Sequence, residues 1–163
     1  MVERKEVYTD IQVAPATEQD VEEIQRLCFG LLQHVKQWSP MLDENWLYSE
    51  AGKDYLTTTM NGESSVILKA TAGDEIAGFV IGSTTEKPYR LERKFADIDF
   101  FYVDPKFRRH HIGSQLMQGF TAWSQAKGAH VMRVETTYSN VDGQAFYRNK
   151  GFSPYELVME RKL

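Results

Sequence analysis

The sequence contains a single cysteine, Cys28, so no disulfide can form within the chain. It also has no apolar run long enough to cross a bilayer, and its polar first ten residues do not resemble a signal peptide. The sequence has no excess of positive charge: 19 basic and 23 acidic side chains give a net charge of −4, which argues against a general nucleic-acid binder. These absences predict a cytoplasmic protein that binds neither nucleic acid nor membrane.

The remaining composition is that of an ordinary globular protein. A chain of 163 residues is long enough to enclose a hydrophobic core, and no repeat, low-complexity tract or linker divides it. We therefore expect one domain spanning residues 1–163.

The spacing of apolar residues alternates between strand and helix periods, which predicts a mixed α/β domain. Strands are expected near residues 11–15, 66–70, 76–83, 95–103, 130–139 and 152–163. Helices are expected near 21–35, 112–127 and 140–150. A further helical region is expected between residues 39 and 63, with a break near Gly52 and an end near Asn61.

The stretch VDPKFRRHHIGSQLM, residues 103–117, gathers basic side chains and a glycine at the start of a predicted helix. The first amides of a helix lack intrahelical partners, and the helix dipole adds positive charge, so this position suits an anion such as a pyrophosphate. Gly113 would let the backbone approach that ligand closely. The alternative is an ordinary helix start with solvated arginines. Adjacent histidines and the lack of a cysteine or carboxylate cluster argue against a metal site.

Two motifs resemble the hallmarks of the GNAT superfamily of N-acyltransferases. The first is Arg/Gln-x-x-Gly-x-Gly/Ala, in which Arg108 and Gly113 match and His111 replaces the usual first glycine. The second motif is the stretch NVDGQAFYRNKGF, residues 140–152, which resembles the family's second hallmark. This resemblance spans nearly the whole chain. It implies a twisted, mostly antiparallel central sheet of about six or seven strands, flanked by about four helices.

The resemblance also implies which residues bind acetyl-CoA as co-substrate. Backbone groups of one strand would hold the pantetheine arm, amides of the helix start would hold the pyrophosphate, and residues of the second motif would complete the site. These cofactor-binding residues are Phe101, Val103, Arg108, Arg109, His110, His111, Ile112, Gly113, Ser114, Asn140 and Phe146.

Catalytic roles follow from the same resemblance. Tyr147 matches the usual general acid, which protonates the leaving thiolate. A base must deprotonate the attacking ammonium, and Asp97 is the first candidate because it matches the position of the family's glutamate. Asp99, two residues along the same strand and expected on the same face, is the second candidate. Glu135 is the third, and water relays remain an alternative.

The expected reaction is N-acetyl transfer to a primary amine of a small molecule or peptide. Trp38, Trp46, Tyr48 and Tyr55 could shape the acceptor groove or belong to the core. Asp43, Glu44 and Glu50 would favour a cationic acceptor if they faced that groove. The second hypothesis is a CoA-binding sensor or partner-binding module with weak catalysis. The resemblance to the family is also the only basis for expecting a homodimer.

Overall fold

The computed structural model describes residues 10–161 and residue 163. In this part of the chain there are five strands: β1 (Ile11–Pro15), β2 (Ser65–Ala72), β3 (Glu75–Glu86), β4 (Lys94–Val103) and β5 (Val131–Val134). The helices are α1 (Val21–Lys36), α2 (Glu50–Asn61), α3 (Ile112–Ala126) and α4 (Val141–Asn149). Short 3-10 helices lie at Glu18–Asp20, Trp46–Tyr48 and Pro105–Phe107. None of the helices between residues 10 and 161 is long and apolar enough to cross a membrane.

The strands form one sheet in the order β1-β2-β3-β4-β5. The first three pairings are antiparallel, and β4 pairs with β5 in parallel, with α3 as the crossover between them. The predicted mostly antiparallel sheet is therefore confirmed, although it has fewer strands than expected.

Each face of the sheet is buried under different helices. On one face, Ile112, Leu116 and Phe120 of α3 pack against the sheet, together with α4 residues at the margin. On the other face, Ile24 and Leu27 of α1 and Leu56 of α2 fill the second core. Because both faces are covered, alternate residues of β3 and β4 are buried on opposite sides.

Two expectations about local structure are wrong. Gly52 does not break the second helical region; it lies in the first turn of α2, where its amide donates to Oγ of Ser49 over 3.1 Å. A Cβ at Gly52 would lie 2.2 Å from the Trp46 carbonyl oxygen, so glycine serves close packing there.

The predicted final strand is absent from residues 152–161, while Lys162 lies outside the described residues. The apolar side chains that favoured a strand, Leu157, Val158 and Met159, are between 71% and 86% exposed. A strand needs a partner for its hydrogen bonds, and in the described chain β5 is paired only with β4. The pattern of apolar residues is present, but the pairing is not.

Two irregularities of β4 determine the shape of the site. The register with β3 shifts between Ile81 and Gly82, so that Ile98 faces Gly82, Phe100 faces Ile81 and Asp99 is the extra residue of a β-bulge. On the other side, the ladder between β4 and β5 covers only residues 95–98 of β4. β5 ends at Val134, opposite Ile98, so among the described residues this edge of β4 has no strand partner from residue 99 to residue 103. We call the space beside this unpaired edge the opening between β4 and β5.

Candidate active site

Side chains from three elements meet beside the opening between β4 and β5. The Phe101 ring of β4 lies 5.4 Å from the Phe146 ring and 6.2 Å from the Tyr147 ring, both on α4. Phe146 also packs against the start of α3, since a Cβ on Gly113 would lie 3.3 Å from its ring. The two sequence motifs, although separated along the chain by most of α3 and by β5, therefore meet at one place.

The start of α3 presents its first amides ahead of the hydrogen-bond ladder of the helix. The first such bond runs from the Gln115 amide to the His111 carbonyl over 3.1 Å, so the amides of Ile112, Gly113 and Ser114 precede it. Ile112 itself is 1% exposed, and its side chain anchors the helix in the core. What this residue offers to a ligand is its amide.

The loop before α3 adopts a strained backbone. His111, the N-cap residue of α3, has a φ of 63° and a ψ of 7°, and Arg109 has a φ of 68°. The left-handed region is unfavourable for residues with a Cβ, and such strain concentrates at ligand-binding sites. The position where the resemblance expects glycine therefore has a backbone that suits glycine, and this chain supports histidine there.

The basic side chains near α3 differ in what they contact. Arg108 donates from Nε to the Val103 carbonyl over 3.1 Å and stacks over the Tyr102 ring. It therefore satisfies the carbonyl of the last residue of β4. Arg109 is exposed. Lys150, which the sequence reasoning missed, donates from Nζ to Oγ of Ser114 over 2.7 Å. Lys150 therefore brings a positive charge to the start of α3 from the end of α4.

Asn140 is the N-cap of α4. Its Oδ1 accepts a hydrogen bond from the Gly143 amide over 3.0 Å, and its Nδ2 donates to Oγ1 of Thr136 over 3.3 Å. A Cβ at Gly143 would lie 2.5 Å from the side-chain nitrogen Nδ2 of Asn140. The pair thus fixes the start of the helix that carries Phe146 and Tyr147.

Tyr147 lies among aromatic rings at the inner side of α4. Its ring contacts the rings of Phe101, Phe146 and Phe152 at centroid distances of 5.4 to 6.2 Å. Burial raises the pKa of its phenol to about 12, because the ionised form loses hydration. The phenol is therefore protonated at neutral pH and can donate a proton.

The two aspartates of β4 have different surroundings. Arg133 of β5 donates to Asp97 from both Nε and a terminal nitrogen, at 2.7 and 2.6 Å, and Oγ1 of Thr85 donates to its other oxygen. Asp99 accepts a single bond of 3.4 Å from the Tyr55 hydroxyl. Burial of the Asp99 carboxyl, with a smaller contribution from the negative charge of Asp97, raises its pKa. Asp99 therefore holds a proton more readily than an ordinary aspartate, whereas the oxygens of Asp97 are occupied by protein donors. Glu135, the third candidate, directly follows β5 and is exposed.

Two of the aromatic residues noted in the sequence lie close to Asp99. The Trp46 and Tyr55 rings are 5.3 Å apart, and both contact the Phe100 ring, at 6.4 and 6.1 Å. Trp38 instead packs on His34 at the end of α1. The acidic residue Glu44 forms an ion pair with Lys36.

The family is established by comparison with known proteins. Residues 19–152 match the model of the acetyltransferase (GNAT) family, so the chain belongs to that family of acyltransferases. A search among curated proteins found no significant match.

Solved structures share the fold across almost the whole chain. A mutant of the BH1408 protein from Bacillus halodurans is 22% identical, with a TM-score of 0.80, covering 93% of this chain and 99% of that one. A transcriptional regulator from Bacillus halodurans is 18% identical, with a TM-score of 0.79 and coverage of 94% and 100%. The aminoglycoside N-acetyltransferase AAC(6')-Iy in complex with CoA is 19% identical, with a TM-score of 0.74 and coverage of 100% and 99%. The GNAT fold expected from the sequence is confirmed.

Proposed function

We propose that this protein is an N-acetyltransferase that moves the acetyl group of acetyl-CoA directly to a primary amine. The observation that supports this most is the meeting of Phe101, Gly113 and Tyr147 beside the opening between β4 and β5. This arrangement places a protonated phenol, a free strand edge and the start of a helix next to one another. A thioester with a diphosphate at its other end needs all three.

The diphosphate would bind at the start of α3. The amides of Ile112, Gly113 and Ser114 supply donors, and the dipole of a 15-residue helix supplies partial positive charge. Lys150 brings a full charge to these amides, and the exposed Arg109 precedes them in the loop. The other predicted contacts, from the backbone of Phe101 and Val103 to the pantetheine arm, remain part of the proposal.

The chemistry is direct transfer. The acceptor ammonium first loses a proton to a carboxylate, for which we propose Asp99 ahead of Asp97 because Asp97 is already paired with Arg133. The amine nitrogen then attacks the thioester carbonyl carbon, so that the C–N bond forms and the C–S bond breaks. Tyr147 donates its proton to the leaving sulfur and regains one from solvent. The nitrogen loses its second proton to water, and the carboxylate returns the first one to solvent, so that one net proton is released per turnover.

A screen of primary amines with acetyl-CoA, which follows the appearance of free thiol, tests the activity. Replacing Tyr147 by phenylalanine keeps the ring contacts and removes the acid, so turnover should fall about 10²-fold while CoA affinity stays constant. Tyr138→Phe is the matched control, because that tyrosine is 85% exposed ahead of α4. Unchanged turnover in Tyr147→Phe would remove this residue from the mechanism.

We also propose that two copies associate through the segment after α4. Tyr155, Leu157, Val158 and Met159 are all at least 69% exposed there, which is more apolar surface than one short segment usually leaves in water. The mass in solution, measured by light scattering, should be that of a dimer and should fall to that of a monomer in the double variant Leu157→Glu with Val158→Glu. A monomeric parent protein at high concentration would contradict the proposal.

A further inference from the structure

The bulge in β4 carries a carboxylate beside three aromatic rings, and we name Trp46, Tyr55, Asp99 and Phe100 the bulge surface. We propose that this surface binds the acceptor, and that the acceptor is a cationic amine with a flat, apolar body rather than an amino sugar. The proposal rests on the proposed function, because it assigns the second substrate of that same site.

The bulge itself creates this surface. In a regular strand Asp99 and Phe100 would point to opposite faces of the sheet. The extra residue changes the alternation: Ile98 packs on the α3 side, Phe100 packs on the side of α1 and α2, and Asp99 reaches Tyr55 of α2. The carboxylate and the Phe100 ring therefore lie on the same side, next to Trp46.

The charge of Asp99 is not compensated by the protein. No lysine, arginine or histidine among the described residues forms an ion pair with it, and its hydrogen-bond donor is the neutral phenol of Tyr55. The nearest basic side chain of the neighbouring strand, Arg133, is engaged by Asp97. Two carboxylates against one arginine leave this end of β4 with a charge that an incoming ammonium would balance.

The position of Asp99 connects the bulge surface to the proposed acid. Asp99 is the first residue of β4 beyond its ladder with β5, and Phe101, two residues further on, contacts Tyr147. An amine held by Asp99 would therefore lie next to Ile98 at the start of the unpaired edge of β4, on the side of α1 and α2, whereas Tyr147 packs on the side of α3. This is the place from which a thioester along the free edge of β4 can be attacked.

The chemistry of the bulge surface favours an apolar acceptor. It offers three polar side-chain groups, the carboxylate of Asp99, the phenol of Tyr55 and the indole N–H of Trp46, and the phenol already donates to the carboxylate; the rest of the surface consists of three half-buried rings. Aromatic faces attract a cation and stack on flat rings. A sugar ring with many hydroxyl groups would leave most of them without partners, and unpaired polar groups are strongly disfavoured in a binding site.

The first experiment compares acceptors of similar size. We expect kcat/KM for phenethylamine to exceed that for glucosamine by about tenfold or more. Trp46→Leu should raise the KM for phenethylamine about two- to fivefold, without changing the KM for acetyl-CoA. Trp38→Leu is the matched control, because Trp38 packs on His34 away from the bulge surface. An equal or reversed preference for glucosamine would overturn the inference and leave the proposed function intact.

The second experiment needs no turnover. Phenethyltrimethylammonium has no N–H to replace, so it cannot be acetylated, and its binding can be followed by calorimetry with the full chain. We expect saturable binding that weakens about tenfold in Asp99→Asn, a variant that keeps the shape of a side chain belonging to neither hydrophobic core. Binding that is absent, or equal in the variant, would overturn the inference even if every amine failed as a substrate. Failure of acetyl-CoA to bind would instead overturn the proposed function.

Discussion

The backbone conformation of His111 predicts how glycine and alanine at this position differ in their effect on the free energy of unfolding. At a φ of 63°, a residue with a Cβ pays about 1–2 kcal/mol that glycine does not. Glycine also stabilises the unfolded chain, by about 0.4–1 kcal/mol. His111→Gly should therefore be more stable than His111→Ala by about 1 kcal/mol. For a chain of this length, that corresponds to a difference in Tm of about 2–4 °C.

The comparison of alanine with glycine isolates the backbone, because both variants lose the imidazole. Gln118 is the matched control, since it is an exposed residue in the interior of α3. There the order reverses, and glycine should be less stable than alanine by about 1 kcal/mol. Calorimetric melting of the four variants measures both differences. If alanine at position 111 is as stable as glycine, the residue does not have a left-handed backbone, and the loop conformation proposed to hold the diphosphate is wrong.

Three other changes test separate parts of the structure. Lys150→Met should raise the KM for acetyl-CoA about tenfold through loss of one charge-assisted contact, whereas Lys127→Met, at the far end of α3, should not. Gly82→Ala should lower the free energy of urea unfolding by about 3 kcal/mol, because its Cβ would lie 2.4 Å from the Asp97 carbonyl oxygen and 2.6 Å from the Phe120 ring. An unchanged midpoint would contradict the packing of β4 and α3 around Gly82. Asp99 has a raised pKa in the folded protein, so its ionised form costs stability as pH rises above the ordinary value of 3.8. Asp99→Asn should therefore raise Tm at pH 7, and this gain should vanish below pH 3.8; a gain that is independent of pH would exclude the mechanism.

The elements with strong local periodicity could be predicted from the sequence. The apolar stripes of α1 and α3 and the hairpin of β2 and β3 follow from residues that are near one another in the chain. The helix start at Ile112 could be predicted for the same reason, and the diphosphate site that the contiguous glycine and basic residues indicate there stays a prediction. The sequence also shows that histidine replaces the family's usual glycine at position 111, but only the structure shows that this residue has a positive φ.

Features that depend on residues far apart in the chain could not be predicted from the sequence. The segment after α4 has the apolar residues of a strand, but no local signal shows whether a neighbour is available to pair with it. The contact of Lys150 with Ser114 joins residues 36 positions apart. The bulge at Asp99 had no local signal either: both faces of the sheet are covered, so consecutive apolar residues such as Phe100 and Phe101 fit a regular strand as well.

The central claim is that the first amides of α3 bind the diphosphate of coenzyme A. Nuclear magnetic resonance of the nitrogen-15-labelled protein, titrated with CoA, measures these amides directly. We expect the largest shifts at Ile112, Gly113 and Ser114, and little change at Gly119 in the middle of the same helix. Saturable CoA binding that leaves those three resonances in place would contradict this claim.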